Sequence, residues 1–195
     1  MGKDTGIKER IIARIQKALE NKVAVKENVT NELHSSEEHD DPSVTFVENF
    51  IKKNKKLFYC TSEAEIKSVL EHIIRQHTLD NIRCCSSSLT YFFNKLGLNQ
   101  IKAPVSMEEC DVCIIPCDGM IASDATLIIT DGQDELYLPK KTLILFAFTS
   151  KASSTWNEAL KKLGDLYDQG LPNKILRINP VETAFQRIYL ILSED

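Results

Sequence analysis

Asp118 and Asp124 stand close together in a stretch that is otherwise strongly apolar, with Gly119, Ser123 and Thr126 beside them. A carboxylate at the end of a buried strand can act as a general acid or base, or accept a hydrogen bond from a substrate hydroxyl. Turn chemistry competes with that role, since Asp-Gly pairs readily make tight turns. Residues 112–117 read as a buried strand, Asp118-Gly119 as a short turn, and the residues from Ala125 onward as a second, β-branched strand. In α/β proteins ligands gather beyond the carboxyl ends of strands. Asp118, Gly119, Ser123, Asp124 and Thr126 are therefore candidate ligand contacts.

Ser86, Ser87 and Ser88 directly follow an apolar strand at 82–85. Their hydroxyls suit the cap of the helix that begins there. The same helix start aims backbone N–H groups outward, where a phosphate or carboxylate can dock. No glycine-rich phosphate loop accompanies them. Ser86 and Ser87 join the candidates, and the Ser86 helix start is expected to face a cleft bordered by Asp118, Gly119, Ser123 and Asp124. Cys110, Cys113 and Cys117 form C-x2-C-x3-C, which invites a zinc or iron–sulfur reading. Such sites take four ligands on segments free to converge. Here the spacing runs along a strand: Cys113 and Cys117 share a face, while Cys110 precedes it on the opposite parity. Buried thiols packing as small hydrophobes are the expectation, with no metal and no cofactor. His34 and His39 fall in an acidic linker; His72 and His77 are five apart rather than i, i+4, and are expected to be solvated.

The elements that must position these groups follow from pattern. Ile7, Ile11, Ile12, Ile15 and Leu19 recur at helical spacing over about residues 5–21, and a second helix starts near Ser43. Between them, residues 23–42 are polar and read as a solvated linker. From residue 57 the chain alternates short β-rich runs with amphipathic helices. Ser62 with Glu65 and Thr155 with Glu158 carry capping-box signatures. Further strands are expected at 143–148, 174–178 and 187–192. Such alternation implies a three-layer α/β/α fold with a mostly parallel central sheet. The strands between Val112 and Phe148 leave no room for crossover helices, so some antiparallel pairing is expected there. Residues 1–42 form an N-terminal helix and linker, and residues 43–195 one α/β domain.

A chain of 195 residues can bury a substantial core in one domain. Its 43% hydrophobic and 27% charged content is that of an ordinary globular protein. A net charge of −4 offers no basic face for nucleic acid. No apolar run approaches the roughly 20 residues that span a bilayer. The start lacks an apolar signal core, and Gly6 breaks the myristoylation pattern. A cytoplasmic protein with reduced thiols, contacting neither membrane nor nucleic acid, is the expectation.

The central segment resembles the lactate-utilisation (LUD) domain. That family runs from a strand into A-E-T-G-T-L-V-L and later a Leu-Pro segment. This chain has Ala122, Ser123, Asp124, Ala125, Thr126, Leu127, Ile128 and Ile129, then Leu138-Pro139. Ala122, Thr126 and Leu127 match directly, and Ala125 replaces the glycine. The family's C-terminal loop, of the type G-P-S-R-T-A-D-I-E, is replaced by a shorter segment in which Pro180, Thr183 and Ala184 faintly echo it. The resemblance implies the fold shared by ribose-5-phosphate isomerase and CoA transferases, and a link to lactate or related organic-acid utilisation beside iron–sulfur lactate-oxidation partner proteins. Two functional readings stand. One is a divergent LUD-family protein binding a small anionic metabolite or a partner protein. The other is an active enzyme of the same superfamily on a phosphorylated or CoA-linked acid, with Asp124 or Asp118 as acid/base.

Overall fold

The structure, a computed structural model, describes residues 4–24, 41–53, 55–77, 81–103, 112–130, 142–166, 171–172, 174–181 and 187–194. Two helices open the chain, α1 (Asp4–Ala24) and α2 (Pro42–Lys52). Asp41 caps α2 by accepting from Ser43 N at 2.8 Å. Pro42 follows at the first turn, where a missing N–H costs nothing. Val44, Phe46, Val47 and Phe50 give α2 a fully buried face. α1 lies against α2, with Ile11 buried in the shared core and Arg14 paired to Glu48 at 2.7 Å.

The alternating body follows: β1 (Lys56–Cys60), α3 (Glu63–His77), β2 (Ile82–Cys84), α4 (Ser87–Lys95), β3 (Ile101–Lys102) and β4 (Val112–Pro116). Next come β5 (Gly119–Ile121), β6 (Thr126–Thr130) and β7 (Thr142–Phe148). A 3-10 turn at Thr149–Lys151 leads to β8 (Ala152–Ser153), α5 (Trp156–Leu166), β9 (Ile175–Ile178) and β10 (Arg187–Ser193). Glu65 performs its capping role with one change of partner. Its N–H donates to Ser62 Oγ at 3.3 Å, and its carboxylate accepts from Thr61 N at 2.6 Å.

Six strands pair in parallel in the order β1-β10-β7-β4-β2-β3. β4, β7 and β10 are buried on both faces, which explains their near-continuous Val, Ile and Leu content. α3 and α4 cover one face, packing Ile66, Leu70, Ile73 and Phe93 against Ile114, Ile144 and Ile191. α2 covers the other together with a second sheet, ordered β8-β5-β6-β9. That second sheet carries the antiparallel pairing expected in this region, β5 with β6, and a second antiparallel pair, β6 with β9, whose strand comes from farther along the chain. α5 closes its outer side, with Ala159 and Leu163 on Ile121 and Ile128. The parallel sheet with helices on both sides is the α/β architecture expected. The second sheet as a separate layer was not, because β5 and β8 span only three and two residues and show no alternation. α1 and the capped start of α2 take residues 23–24 and 41–42 at the two ends of the expected linker; its remainder, 25–40, and the segment from Asp131 through Leu138-Pro139 lie outside the described residues.

Candidate functional site

β2 and β4 are neighbours whose chains leave the sheet on opposite faces. β2 runs into α4 on one side, and β4 runs into the second sheet on the other. Such divergence opens a crevice at the carboxyl edge. Cys85 N still pairs with Ile114 O at 2.9 Å, and Ser86 then caps α4. The Ser86 hydroxyl accepts from Leu89 N at 3.3 Å and contacts Ser88 Oγ at 2.9 Å, so capping occupies it. Ser87 is the first residue of α4 and is exposed.

At the end of β4 the chain changes sheets within two residues. Cys117 N donates to Phe146 O of β7 at 2.8 Å, and Asp118 N donates to Ile128 O of β6 at 2.8 Å. Asp118-Gly119 is therefore not the turn the sequence suggested. Gly119 opens β5 opposite Ile128, where an added Cβ would meet Ile128 Cδ1 at 3.1 Å. The tight turn is Ala122–Ala125 instead, with Ala125 at φ +50°. Asp-Gly lost its turn because the Asp118 carboxylate reaches across to β6. Its Oδ2 accepts from Thr130 N at 2.9 Å and from Thr130 Oγ1 at 2.8 Å. Oδ1 makes no hydrogen bond among the described residues.

Asp118 and Gly119 line a cleft of about 220 Å³ between the second sheet and α5. Ser150, Lys151 and Ser153 enter it from the segment after β7, and Ala159, Lys162, Asp165 and Leu166 from α5. β8 reaches this position by pairing in parallel with β5, Ile121 opposite Ser153. Lys162 Nζ donates to Ala152 O at 2.6 Å and stands 3.8 Å from Glu158, which fixes it in place. Lys151 makes no hydrogen bond or ion pair among the described residues. Ser153 is fully buried, and its Oγ has no hydrogen-bond partner among the described residues. A buried hydroxyl left unpaired costs roughly 1–3 kcal/mol. The cleft is thus lined by a half-used carboxylate and an ammonium with no ion pair among the described residues, with the buried Ser153 hydroxyl in its wall.

Ser123, Asp124 and Thr126 sit at the opposite end of the β5–β6 hairpin. The three residues of β5 separate Asp118 from Asp124 by roughly 10 Å of extended chain. Asp124 Oδ1 accepts from Thr126 N at 3.0 Å, and Oδ2 stands 3.6 Å from Arg177. Lys53 Nζ donates to the Asp124 carbonyl and to Asn179 Oδ1, and Asn49 Nδ2 donates to Ala122 O at 2.8 Å. The Asp124 carboxylate braces the turn and faces Arg177, while its backbone carbonyl ties the turn to Lys53 at the end of α2. Thr126 is buried in β6, and Ser123 is exposed. Ser86 and Ser87 share the carboxyl edge with Asp118, yet they are absent from the cleft lining. Of the seven candidate residues, only Asp118 and Gly119 meet there. Lys151, Ser153 and Lys162 escaped the sequence reading.

Cys113 and Cys117 pack in the core as small hydrophobes, and Cys110 lies outside the described residues. Burial, with the Asp118 charge beside it, pushes the Cys117 thiol up to about 12, so it stays protonated at neutral pH. His77 is not solvated as expected. It is half-buried and hydrogen-bonded to the Tyr189 hydroxyl, because α3 packs its last turn over β10. Burial lowers its pKa, helped by Arg187, Lys56 and His72.

Fold and site together define an α/β protein with a small cleft beside the carboxyl edge of a parallel sheet, its lining mostly apolar with a few charged side chains. A DUF162 family protein of known structure, from Deinococcus radiodurans, is similar in fold, with a TM-score of 0.58 at 13% identity. The match covers 76% of this chain and 94% of that one. No family model matches the chain, and no curated protein matches it significantly. No helix among the described residues is long and apolar enough to cross a membrane.

Proposed function

We propose that this chain is a LUD-like protein that binds a small anionic metabolite in the cleft between Asp118 and α5, in the service of lactate or related organic-acid utilisation. The observation that carries the reading is the unpaired, fully buried Ser153 hydroxyl in a cleft that also holds Lys151 and Asp118. A carboxylate on the ligand pairs with the Lys151 ammonium, and accepts from the Ser153 hydroxyl once it displaces the side chains that now cover that oxygen. A ligand hydroxyl donates to Asp118 Oδ1, the oxygen that Thr130 leaves open. The fold shared with a DUF162 protein, a family related to the LUD domain, supports the family side of the reading. Iron–sulfur lactate-oxidation proteins are the partners this reading implies. The enzyme reading draws no comparable support from Asp124, which braces its turn through Thr126 N, faces Arg177 and lies outside the cleft lining.

Thermal unfolding tests this directly, with L-lactate, glycolate, malate, malonate and inorganic phosphate as the probes. A ligand at 100 times its Kd stabilises by about 2.7 kcal/mol. A hydroxy acid is expected to raise Tm in the wild type and to lose that effect in Lys151→Ala and Ser153→Ala. An unmoved Tm across the panel, or an equal rise in both variants, would sink the proposal.

A further inference from the structure

Cys85 and Cys113 bring their sulfurs to 2.9 Å, closer than two sulfurs rest in ordinary packing. They belong to neighbouring parallel strands. Arg83 stands opposite Cys113 and Cys84 opposite Ile114, so Cys85 lies two residues beyond Arg83 on the face that Cys113 shares. Cys113 is fully buried. Cys85 is half-buried, the one described cysteine that reaches solvent to that extent.

We propose that Cys85 and Cys113 form a reversible disulfide, a redox modification site served by small-molecule disulfides of the glutathione class. Cys85 is the entry point. Its sulfur gives up a proton and attacks glutathione disulfide, whose S–S bond breaks. A Cys85–glutathione mixed disulfide forms, and the departing glutathione thiolate takes that proton. Cys113 then attacks Cys85 Sγ. The bond to glutathione breaks, the protein disulfide forms, and the second glutathione leaves with the Cys113 proton. Two protein thiols lose two electrons, and one glutathione disulfide becomes two glutathiones. Cys113 needs no path to solvent, because its target is delivered to it by its neighbour.

The other described thiols compete poorly, since the thiolate is the nucleophile. Cys84 faces the opposite side of the sheet, in the core beneath α3 and α4, and burial raises its pKa. Burial pushes Cys60 up to about 11 and Cys117 to about 12. The proposed bond ties together the two strands that diverge at the carboxyl edge, one toward Ser86 and α4, the other toward Asp118. It stands independently of any ligand in the cleft.

The full chain is equilibrated in buffers of stepped glutathione disulfide to glutathione ratio, quenched with acid, alkylated and mapped by mass spectrometry. The wild type is expected to lose about 2 Da and to yield a Cys85–Cys113 cross-linked peptide, reversibly on reduction. Cys84→Ser keeps the cross-link. Cys113→Ser stops at the Cys85–glutathione adduct, and Cys85→Ser forms neither. The wild-type map decides the matter even if a variant folds poorly. A wild type that stays reduced, stops at the glutathione adduct, or cross-links through Cys84 or Cys110 overturns the proposal.

Discussion

Replacing Ser153 with Ala should make the protein more stable and a worse binder. Most substitutions destabilise by about 1 kcal/mol, so the sign is the test. Ser153 is fully buried in β8, and its backbone carbonyl accepts from Ala122 N at 2.8 Å. The substitution leaves that bond untouched. It removes only the hydroxyl, which has no partner among the described residues. Relieving an unsatisfied buried group recovers roughly 1–3 kcal/mol. The lost van der Waals contacts of one oxygen offset roughly 0.5 kcal/mol of that. A net gain of about 1 kcal/mol remains, or roughly 2–4 °C in Tm for a chain of this size. Binding should move the other way. A hydrogen bond to a charged ligand is worth roughly 1.5–3 kcal/mol, so Kd should rise about 10- to 100-fold. Urea unfolding and titration of the hydroxy acid that stabilises the wild type measure the two halves. A loss of 1 kcal/mol or more would mean that Ser153 is satisfied in the folded state. A gain in stability with unchanged affinity would remove Ser153 from the binding site.

Asp118→Ala should cost about 2–3 kcal/mol in urea unfolding, because it strips the charged acceptor from both Thr130 N and Thr130 Oγ1, while Asp118→Asn keeps an acceptor and should cost about 1 kcal/mol. Equal effects of the two would show that charge and hydrogen bonding do not separate there. At Ala125, Val should destabilise by at least 2 kcal/mol, since a β-branched residue at positive φ adds strain to a fully packed site. Gly should stay within about 1 kcal/mol of wild type, relief of strain being offset by the lost methyl and the added chain entropy; a Val variant as stable as Gly would contradict the left-handed turn. His77 sets a pH dependence. Its folded pKa lies below its unfolded value near 6.5, so the unfolded chain binds the extra proton and stability falls as pH drops through that range. His77→Gln should flatten that part of a urea-midpoint profile between pH 7.5 and 5. The depressed carboxyl of Glu65 acts lower, below its ordinary value of 4.5. A wild-type midpoint that does not move above pH 5 counts against the His77 assignment.

Every helix read from the sequence lies close to its observed span, because each carries its own local instruction. α3 has apolar residues at three- and four-residue spacing and a cap at Ser62, and α4 ends at Gly97 with φ +82°. The long buried strands were legible for the same kind of reason. The candidate site was legible only in part. Asp118 could be singled out as a carboxylate ending a buried strand, but Asp-Gly carries the same turn signal whether or not a partner captures its carboxylate. Thr130, twelve residues away, is that partner. Lys151 and Ser153 did carry a weak signal, standing just past the end of β7 as Asp118 stands past β4, and the strand-end rule could have flagged them.

The sequence by itself determined the alternation of parallel strands and helices, the caps, and the commitment of Ser86 to the start of α4. These depend on residues within a turn or two of one another. Tertiary structure alone decided that Asp118 and Asp124 would part, one to the cleft and one to the turn against α2. It also decided that Ser153 would line the same cleft as Asp118, and that Cys113 would find Cys85 rather than Cys117. Each of those outcomes follows from strand register and sheet packing: β8 alongside β5, β6 opposite β5, β2 beside β4. A shift of one residue in register turns a side chain to the other face, and no local pattern in strands of two or three residues can fix that choice.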